Sequence, residues 1–421
     1  MTRTEKTSSK RRIILAAIVG NVMEWYDFAV YGFLAINIGR NFFPDEDPFV
    51  SLLATFGAFA VGFLTRPLGG IIIGRIGDLV GRSQALIVSV IAMAVPTVLL
   101  GLLPTYETIG VAAPLILVLL RLMQGLSVGG ECSSTLVFLA ENAPPGRRGV
   151  TAFWGSWGAI AGMLLGSGVS ALAASLMSES QLDSFGWRIP FLFGGLVAIT
   201  GYLFRRGLHA YPPASASQRP VRDTFGKYRR AVLKVALLNV SLAVSFYMVF
   251  VYSVTYVRKI DHLPASVALE LSTSGMALLL LTLPVGAWLS DRVGRRPPII
   301  AGAAFLTFGA IPFFHLIHSG NLTSIVLGIV FFVIALGMMN GGILAANVEL
   351  VPSQVRCTGV SVAFNVSIAF TGGTTPLIAT WLLKATGDPI APAYWLAGTS
   401  AISLITALFL VRETYREPLH S

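Results

Sequence analysis

Apolar residues in this chain come in blocks of about twenty or more, apolar on every side and separated by short polar and basic interruptions. A helix on the surface of a water-soluble domain carries a single apolar stripe, so segments that are apolar all round must face lipid or protein everywhere. Roughly 20 such residues cross a hydrocarbon core. The pattern predicts spans near 13–36, 50–73, 83–103, 111–140, 150–176 and 187–206, then 230–256, 266–289, 298–318, 322–345, 356–383 and 391–412. Between the two sets, residues 207–229 hold Tyr211-Pro212-Pro213, several serines and a basic cluster, the composition of a hydrophilic linker. The expected fold class is all-α integral membrane, with 12 transmembrane helices in two six-helix bundles, 1–206 and 230–421.

Composition agrees with a lipid environment. Of 421 residues, 54% are hydrophobic and 12% charged, against about 25% charged in globular domains. The net charge of +10 lies in clusters between spans and not on one aromatic-lined surface, which argues against a nucleic-acid partner. Counting Lys and Arg by side places 23 of 30 with the N-terminus and five opposite, so both termini are predicted to be cytoplasmic. Cys132 and Cys357 form neither a disulfide framework nor a metal-ligand spacing. The polar segment 1–12 leads into an apolar run without a cleavage site, which reads as a retained first helix.

The two halves repeat each other. Gly74-Arg75-Ile76-Gly77-Asp78-Leu79-Val80-Gly81-Arg82 follows the second span, and Asp291-Arg292-Val293-Gly294-Arg295-Arg296 follows the eighth. Glu141, Pro144 and Arg148 after span four share their spacing with Glu349, Pro352 and Arg356 after span ten. Such duplication is expected of a transporter whose binding site lies between its repeats.

The loop motifs resemble those of the major facilitator superfamily. Within it, Gly20-Asn21-Val22-Met23-Glu24-Trp25-Tyr26-Asp27-Phe28, Arg66-Pro67-Leu68-Gly69-Gly70, Arg121-Leu122-Met123-Gln124-Gly125 and Gly186-Trp187-Arg188-Ile189-Pro190-Phe191 look like the metabolite:proton symporter family. That resemblance implies a multi-pass protein of a bacterial-type inner membrane. Its family includes permeases for citrate, 2-oxoglutarate, shikimate and proline or betaine.

Charged groups at membrane depth are costly and mark function, which singles out Glu24, Asp27, Arg66, Arg121 and Glu131. Glu24, Asp27 and Tyr31 share one face of the first helix. At about 1.5 Å per residue, Glu24 and Arg121 lie at a common depth near the bilayer centre. An arginine beside carboxylates can hold an anionic solute once one carboxylate is protonated. The expected roles are proton coupling at Asp27, Glu24 and Glu131, and solute binding at Arg121, Tyr31, Gln124, Tyr252, Asn340 and Asn365. Ser241, Ser245, Tyr252 and Tyr256 form a polar stripe expected to face the central cavity. Arg66, two turns above its loop, is expected to snorkel or to tie the loop to neighbouring helices, and to serve gating and not solute contact. Asp78 with Arg82, Glu141 with Arg148, Asp291 with Arg295 and Glu349 with Arg356 are expected to latch the cytoplasmic face, with Asp78 and Asp291 at or near helix N-termini.

Enzyme signals fail on context. Gly125-Leu126-Ser127-Val128-Gly129 matches a nucleophile elbow but lies inside a span, and no phosphate loop occurs. His315 and His318 sit near an outer end. The expectation is a non-enzymatic, cofactor-free and metal-free monomer that symports protons with a small organic anion by alternating access. A zwitterionic osmolyte such as proline or betaine is the alternative. The tail after Arg412 is too short for the coiled coil of osmosensing relatives, which favours the anion. A drug:proton antiporter ranks lower, because the glycines of span five include no Gly-Pro pair.

Overall fold

The computed structural model describes residues 19, 21–70, 72, 82–127, 136–137, 139–141, 143–144, 146–205, 220–417 and 419. Among them the chain forms helices and no strands. We number the long helices α1 (21–42, broken at Leu34), α2 (Pro48–Gly70), α3 (Arg82–Leu102), α4 (Ala112–Ser127), α5 (Arg148–Leu176) and α6 (Arg188–Arg205). The second set is α7 (Arg229–Lys259), α8 (Ala265–Val293), α9 (Arg296–Ile317), α10 (Leu322–Glu349), α11 (Ser353–Thr386) and α12 (Ala391–Leu410). Eight of these twelve described helices are individually long and apolar enough to cross a membrane. α6 qualifies jointly with the short helix before it, to which it is bent by 50°. Bulky apolar residues such as Phe308 and Phe409 stand 76% and 78% exposed on the outer surface, where only lipid makes them tolerable.

Equivalent helices pack alike in the two sets: α2 against α4 as α8 against α10, and α3 against α6 as α9 against α12. Glycine makes the closest of these approaches. A Cβ on Gly125 of α4 would collide with the carbonyl of Gly62 on α2, and one on Gly341 of α10 with the backbone of Gly286 and Ala287 on α8. Small residues at such crossings let backbones touch where no hydrophobic drive between helices exists. The sets meet along α5 against α8 and α2 against α11, the first crossing carrying a Ser167–Thr273 hydroxyl pair at 2.6 Å.

One local irregularity redirects side chains. α7 contains a π-helical turn over Met248–Tyr252. The wider turn rotates everything beyond it relative to an ideal 3.6-residue period, so a stripe counted through residues 241–256 does not stay on one face.

Candidate functional site

The tight α2–α4 contact sets Arg121 beside α1 and α2, in the interior of the first helix set. Arg121 is 0% exposed. Its Nη1 donates to Asp27 Oδ2 at 3.3 Å and to Gln124 Oε1 at 2.8 Å. Gln124 then donates through Nε2 to Thr97 Oγ1 of α3 at 3.1 Å, which fixes its amide orientation. The guanidinium lies over the rings of Tyr31, Phe28 and Phe59, at 4.3, 4.7 and 5.7 Å from their centroids. Tyr31 is held in place by its hydroxyl, which donates to Thr55 O at 3.1 Å. The expected grouping of Asp27, Tyr31, Arg121 and Gln124 is thus a contiguous network spanning α1 to α4.

One turn back along α1, Glu24 accepts from Arg66 Nη2 at 2.5 Å. Arg66 is 2% exposed, and its guanidinium lies over Trp25, Phe28 and Phe63 at 5.2 to 5.4 Å. Of the two expectations for Arg66, the structure shows the tie to a neighbouring helix, through Glu24 of α1, and not snorkelling. With aromatic faces and a carboxylate within reach, burial is favourable for it where an unpaired arginine would seek water. Phe28 stands between the two guanidiniums and ties both ion pairs into one cluster. Among the described residues, Nε and Nη2 of Arg121 and Nε and Nη1 of Arg66 have no hydrogen-bond partner. Each buried orphan donor costs about 1–3 kcal/mol, so the cluster is poised to accept an external anionic group.

The second-half candidates are placed differently. Ser241 bonds Ser403 and Ser400 of α12 at 2.9 and 3.0 Å, Tyr252 donates to Ala379 O of α11 at 3.4 Å, and Tyr256 donates to Pro389 O at 3.0 Å. Ser241, Tyr252 and Tyr256 thus turn toward α11, α12 and the turn between them and not toward a central cavity, a correction that follows from helix packing, while the Ser245 hydroxyl is buried without a partner among the described residues. Asn365 donates to Ser361 O within its own helix at 3.0 Å. Asn340 is buried with its Oδ1 unpartnered among the described residues. The α7 residue that does reach the cluster is Tyr247, whose ring meets Phe59 and Phe63 at 6.0 and 5.3 Å. Sequence reasoning passed over it because it sits off the counted stripe and reads as one more aromatic in an apolar helix.

The face bearing the arginine-rich loops is closed by ion pairs, but with partners exchanged between the halves. Arg356 pairs with Glu141 at 2.6 Å and Arg148 with Glu349 at 3.1 Å, where the spacing predicted Glu141 with Arg148 and Glu349 with Arg356. Matching motifs in two facing repeats put each acid nearer the other copy's arginine than its own. Asp291 does pair with Arg295, at 2.7 Å, and Arg295 also reaches Glu349 at 3.0 Å. Asp291 lies in the last turn of α8 and not at that helix's N-terminus. Its carboxylate instead caps α5 of the other half, accepting from Gly149 N at 2.8 Å and Val150 N at 2.9 Å, where the dipole favours an anion. A cavity of about 510 Å³ lies beside this latch, lined by Glu141, Arg148, Arg295, Tyr415 and Arg416 among others. Asp78, Glu131 and the side chain of Arg82 lie outside the described residues.

The opposite face is tied as well. Arg258 reaches Glu179 at 3.2 Å and Asn37 at 3.4 Å, and Lys384 reaches Asp47 at 2.7 Å. Links across the halves at both ends, with Arg121 and Asp27 buried between, describe an occluded state.

Comparison with known proteins places this geometry. The family model of the Major Facilitator Superfamily matches residues 17–372 and, again, 271–421. A glycine betaine/proline/ectoine/pipecolic acid transporter of Dickeya dadantii is 34% identical over 97% of this chain and 84% of its own length. A proline/betaine transporter of Escherichia coli is 35% identical over 97% and 85%, and a putative one of Staphylococcus aureus is 36% identical over 96% and 89%. Among solved structures, a D-xylose–proton symporter superposes with a TM-score of 0.75 over 97% of this chain and 99% of that one, at 20% identity, a likeness of fold.

Proposed function

Because the chain belongs to the Major Facilitator Superfamily and is a transporter, we propose that it carries a small zwitterion of the proline or glycine betaine kind, with protons, by alternating access. The observation that carries this reading is that the buried cluster holds both signs of charge: two arginines, Arg66 and Arg121, stand against two carboxylates, Glu24 and Asp27, so it can meet each end of a zwitterion with an opposite charge. The similarity to proline and betaine transporters supports the same choice, so the zwitterion replaces the organic anion as the principal reading.

The cluster supplies a route for coupling. The solute's carboxylate takes the unpartnered N–H groups of Arg121, competing with Asp27 for the guanidinium. Asp27, losing its counter-charge, then binds a proton more readily. Glu24 holds Arg66 in the same way one turn away. Gln124 and Tyr31 fix the geometry of Arg121, and Asn340 offers an acceptor from the second half.

Motion follows the repeats. The bodies are residues 1–206 and 230–421, joined by 207–229, and the arginine-rich face is the cytoplasmic one, with both termini on it. The ion pairs Glu141–Arg356 and Arg148–Glu349 and the Asp291 cap part when the site opens inward. The ties of Arg258 and Lys384 part when it opens outward.

Uptake of labelled proline, glycine betaine and mono-, di- and tricarboxylates into proteoliposomes, with and without an inward proton gradient, tests this. Gradient-stimulated uptake of a zwitterion, lost in Arg121→Ala and uncoupled from the gradient in Asp27→Asn, is the expected result. Uptake of carboxylates alone would return the anion reading, and uptake indifferent to the gradient would remove proton coupling.

A further inference from the structure

Tyr247 is the point where the second half touches the cluster's aromatic faces. It is 1% exposed, and its hydroxyl has no hydrogen-bond partner among the described residues. Its ring meets Phe59 and Phe63, one turn apart on α2, nearly edge-on, at interplanar angles of 71° and 77°. The same two rings receive the guanidiniums of Arg121 and Arg66 at 5.7 and 5.4 Å. Gly372 and Gly373 of α11 make room behind them: a Cβ on Gly372 would stand 2.9 Å from the Tyr247 ring, and one on Gly373 would run into Phe63.

In this arrangement the π faces are therefore occupied by the protein's own cations. A carboxylate binds guanidinium N–H groups more strongly than a ring face does. Arrival of a zwitterion draws the arginines toward its carboxylate and releases ring faces that attract its positive end. In an α-amino acid or betaine the two charges are one carbon apart, so Tyr247 together with its neighbouring rings can meet both, a ring face of the group taking the cation and the Tyr247 hydroxyl the carboxylate. We propose that Tyr247 is a specificity-determining residue, which seats the cationic end of the solute together with Phe59 and Phe63 and donates its hydroxyl to the solute's carboxylate. This rests on the zwitterion reading above. It also gives the second half a direct hold on the solute, because Tyr247 moves with that half while Phe59, Phe63 and both arginines move with the first.

The series glycine, sarcosine, dimethylglycine and glycine betaine isolates the cationic end, since carboxylate and net charge stay constant while N-methyl groups replace strongly hydrated N–H. A π-lined seat favours the methylated members, which lose less hydration on entering it. The test is equilibrium binding of all four to the full chain in nanodiscs, for wild type, Tyr247→Phe and Tyr247→Leu, each checked for a cooperative thermal transition. Wild type is expected to bind more tightly along the series. Tyr247→Phe should weaken all four about tenfold, the worth of one hydrogen bond to a charged group, and keep the betaine-to-glycine ratio within about twofold because the ring remains. Tyr247→Leu should cut that ratio about tenfold. A Leu variant that keeps the ratio, or a Phe variant that loses it or binds like wild type, overturns the assignment of Tyr247 and leaves the transported class standing. Wild type that binds none of the four but binds a carboxylate overturns the zwitterion reading and this inference with it. If the Leu variant does not fold, the Phe arm decides: uniform weakening supports the assignment and unchanged affinity sinks it.

Discussion

Neutralising Asp291 should open the arginine-rich face. Its carboxylate is only 6% exposed, accepts two backbone N–H groups of α5 from the opposite half and pairs with Arg295. Asp291→Asn keeps shape and volume, but an amide offers one acceptor oxygen where the carboxylate offers two, and its NH₂ faces the second N–H as a like dipole. Hydrogen bonds to a charged group are worth about 1.5–3 kcal/mol each, and an anion at a helix N-terminus about 0.3–1 kcal/mol more. Losing one bond and the charge removes roughly 2–4 kcal/mol from the closed state, since the α5 contacts exist only there. That is a shift of roughly 30- to 700-fold in the closed-to-open ratio, using about 1.4 kcal/mol per tenfold. Spin labels replacing Arg147 at the start of α5 and Val293 at the end of α8, both exposed, would read the separation by double electron–electron resonance. Cys132 and Cys357 would first be changed to Ser. A closed-to-open ratio within twofold of wild type, or one shifted toward closure, would falsify the claim that this cap holds the halves together.

Three further outcomes follow from the same contacts. Glu141→Arg and Arg356→Glu should each loosen the latch, and the double exchange should restore it. The effect is small, about 1 kcal/mol or less, because the Glu141 side chain is 42% exposed; a double mutant no closer to wild type than the singles contradicts the crossed pairing. Gly125→Ala should destabilise the protein by roughly 3 kcal/mol or more through collision with the Gly62 carbonyl, whereas Gly168→Ala, with open space at its Cβ, should not; equal melting temperatures in detergent would contradict the α2–α4 contact. Burial raises the carboxyl of Glu413, but hydrogen bonds from the backbone N–H of Arg295, Arg296, Tyr415 and Thr414 outweigh it and hold the group below its ordinary 4.5. With the folded value depressed, its stabilisation is full above about 4.5 and is lost as pH falls through the folded value. Wild type should accordingly lose more melting temperature on acidification below pH 4.5 than Glu413→Gln, and parallel profiles would remove that role.

Asp27, Tyr31, Arg121 and Gln124 were legible as a site because each is a polar or charged residue at membrane depth, where lipid leaves no neutral explanation. Helical spacing put Asp27 and Tyr31 on one face, and both do meet Arg121. For Arg66 the sequence leaves snorkelling and a tie to a neighbouring helix both open, because two turns from a loop is within snorkelling reach and sequence does not show that Trp25, Phe28 and Phe63 surround it. The latch acids and arginines were legible as repeats, but their partners were not. Spacing along one chain gives distances within a helix, while the distance from Glu141 to Arg356 depends on how two bundles face each other.

Residue order alone reads out the lipid environment, the number of predicted spans and the buried charges of the first half, because transfer of apolar and charged groups into lipid is additive along a chain and readable from composition. Packing across the fold sets which arginine holds which carboxylate, brings Tyr247 and not Tyr252 to the cluster, and makes Asp291 cap a helix of the other half. Those choices turn on close backbone approach at Gly62 and Gly125, on one π-helical turn in α7 and on the docking of two repeats. They arise from packing between segments distant in sequence, and no local periodicity encodes them.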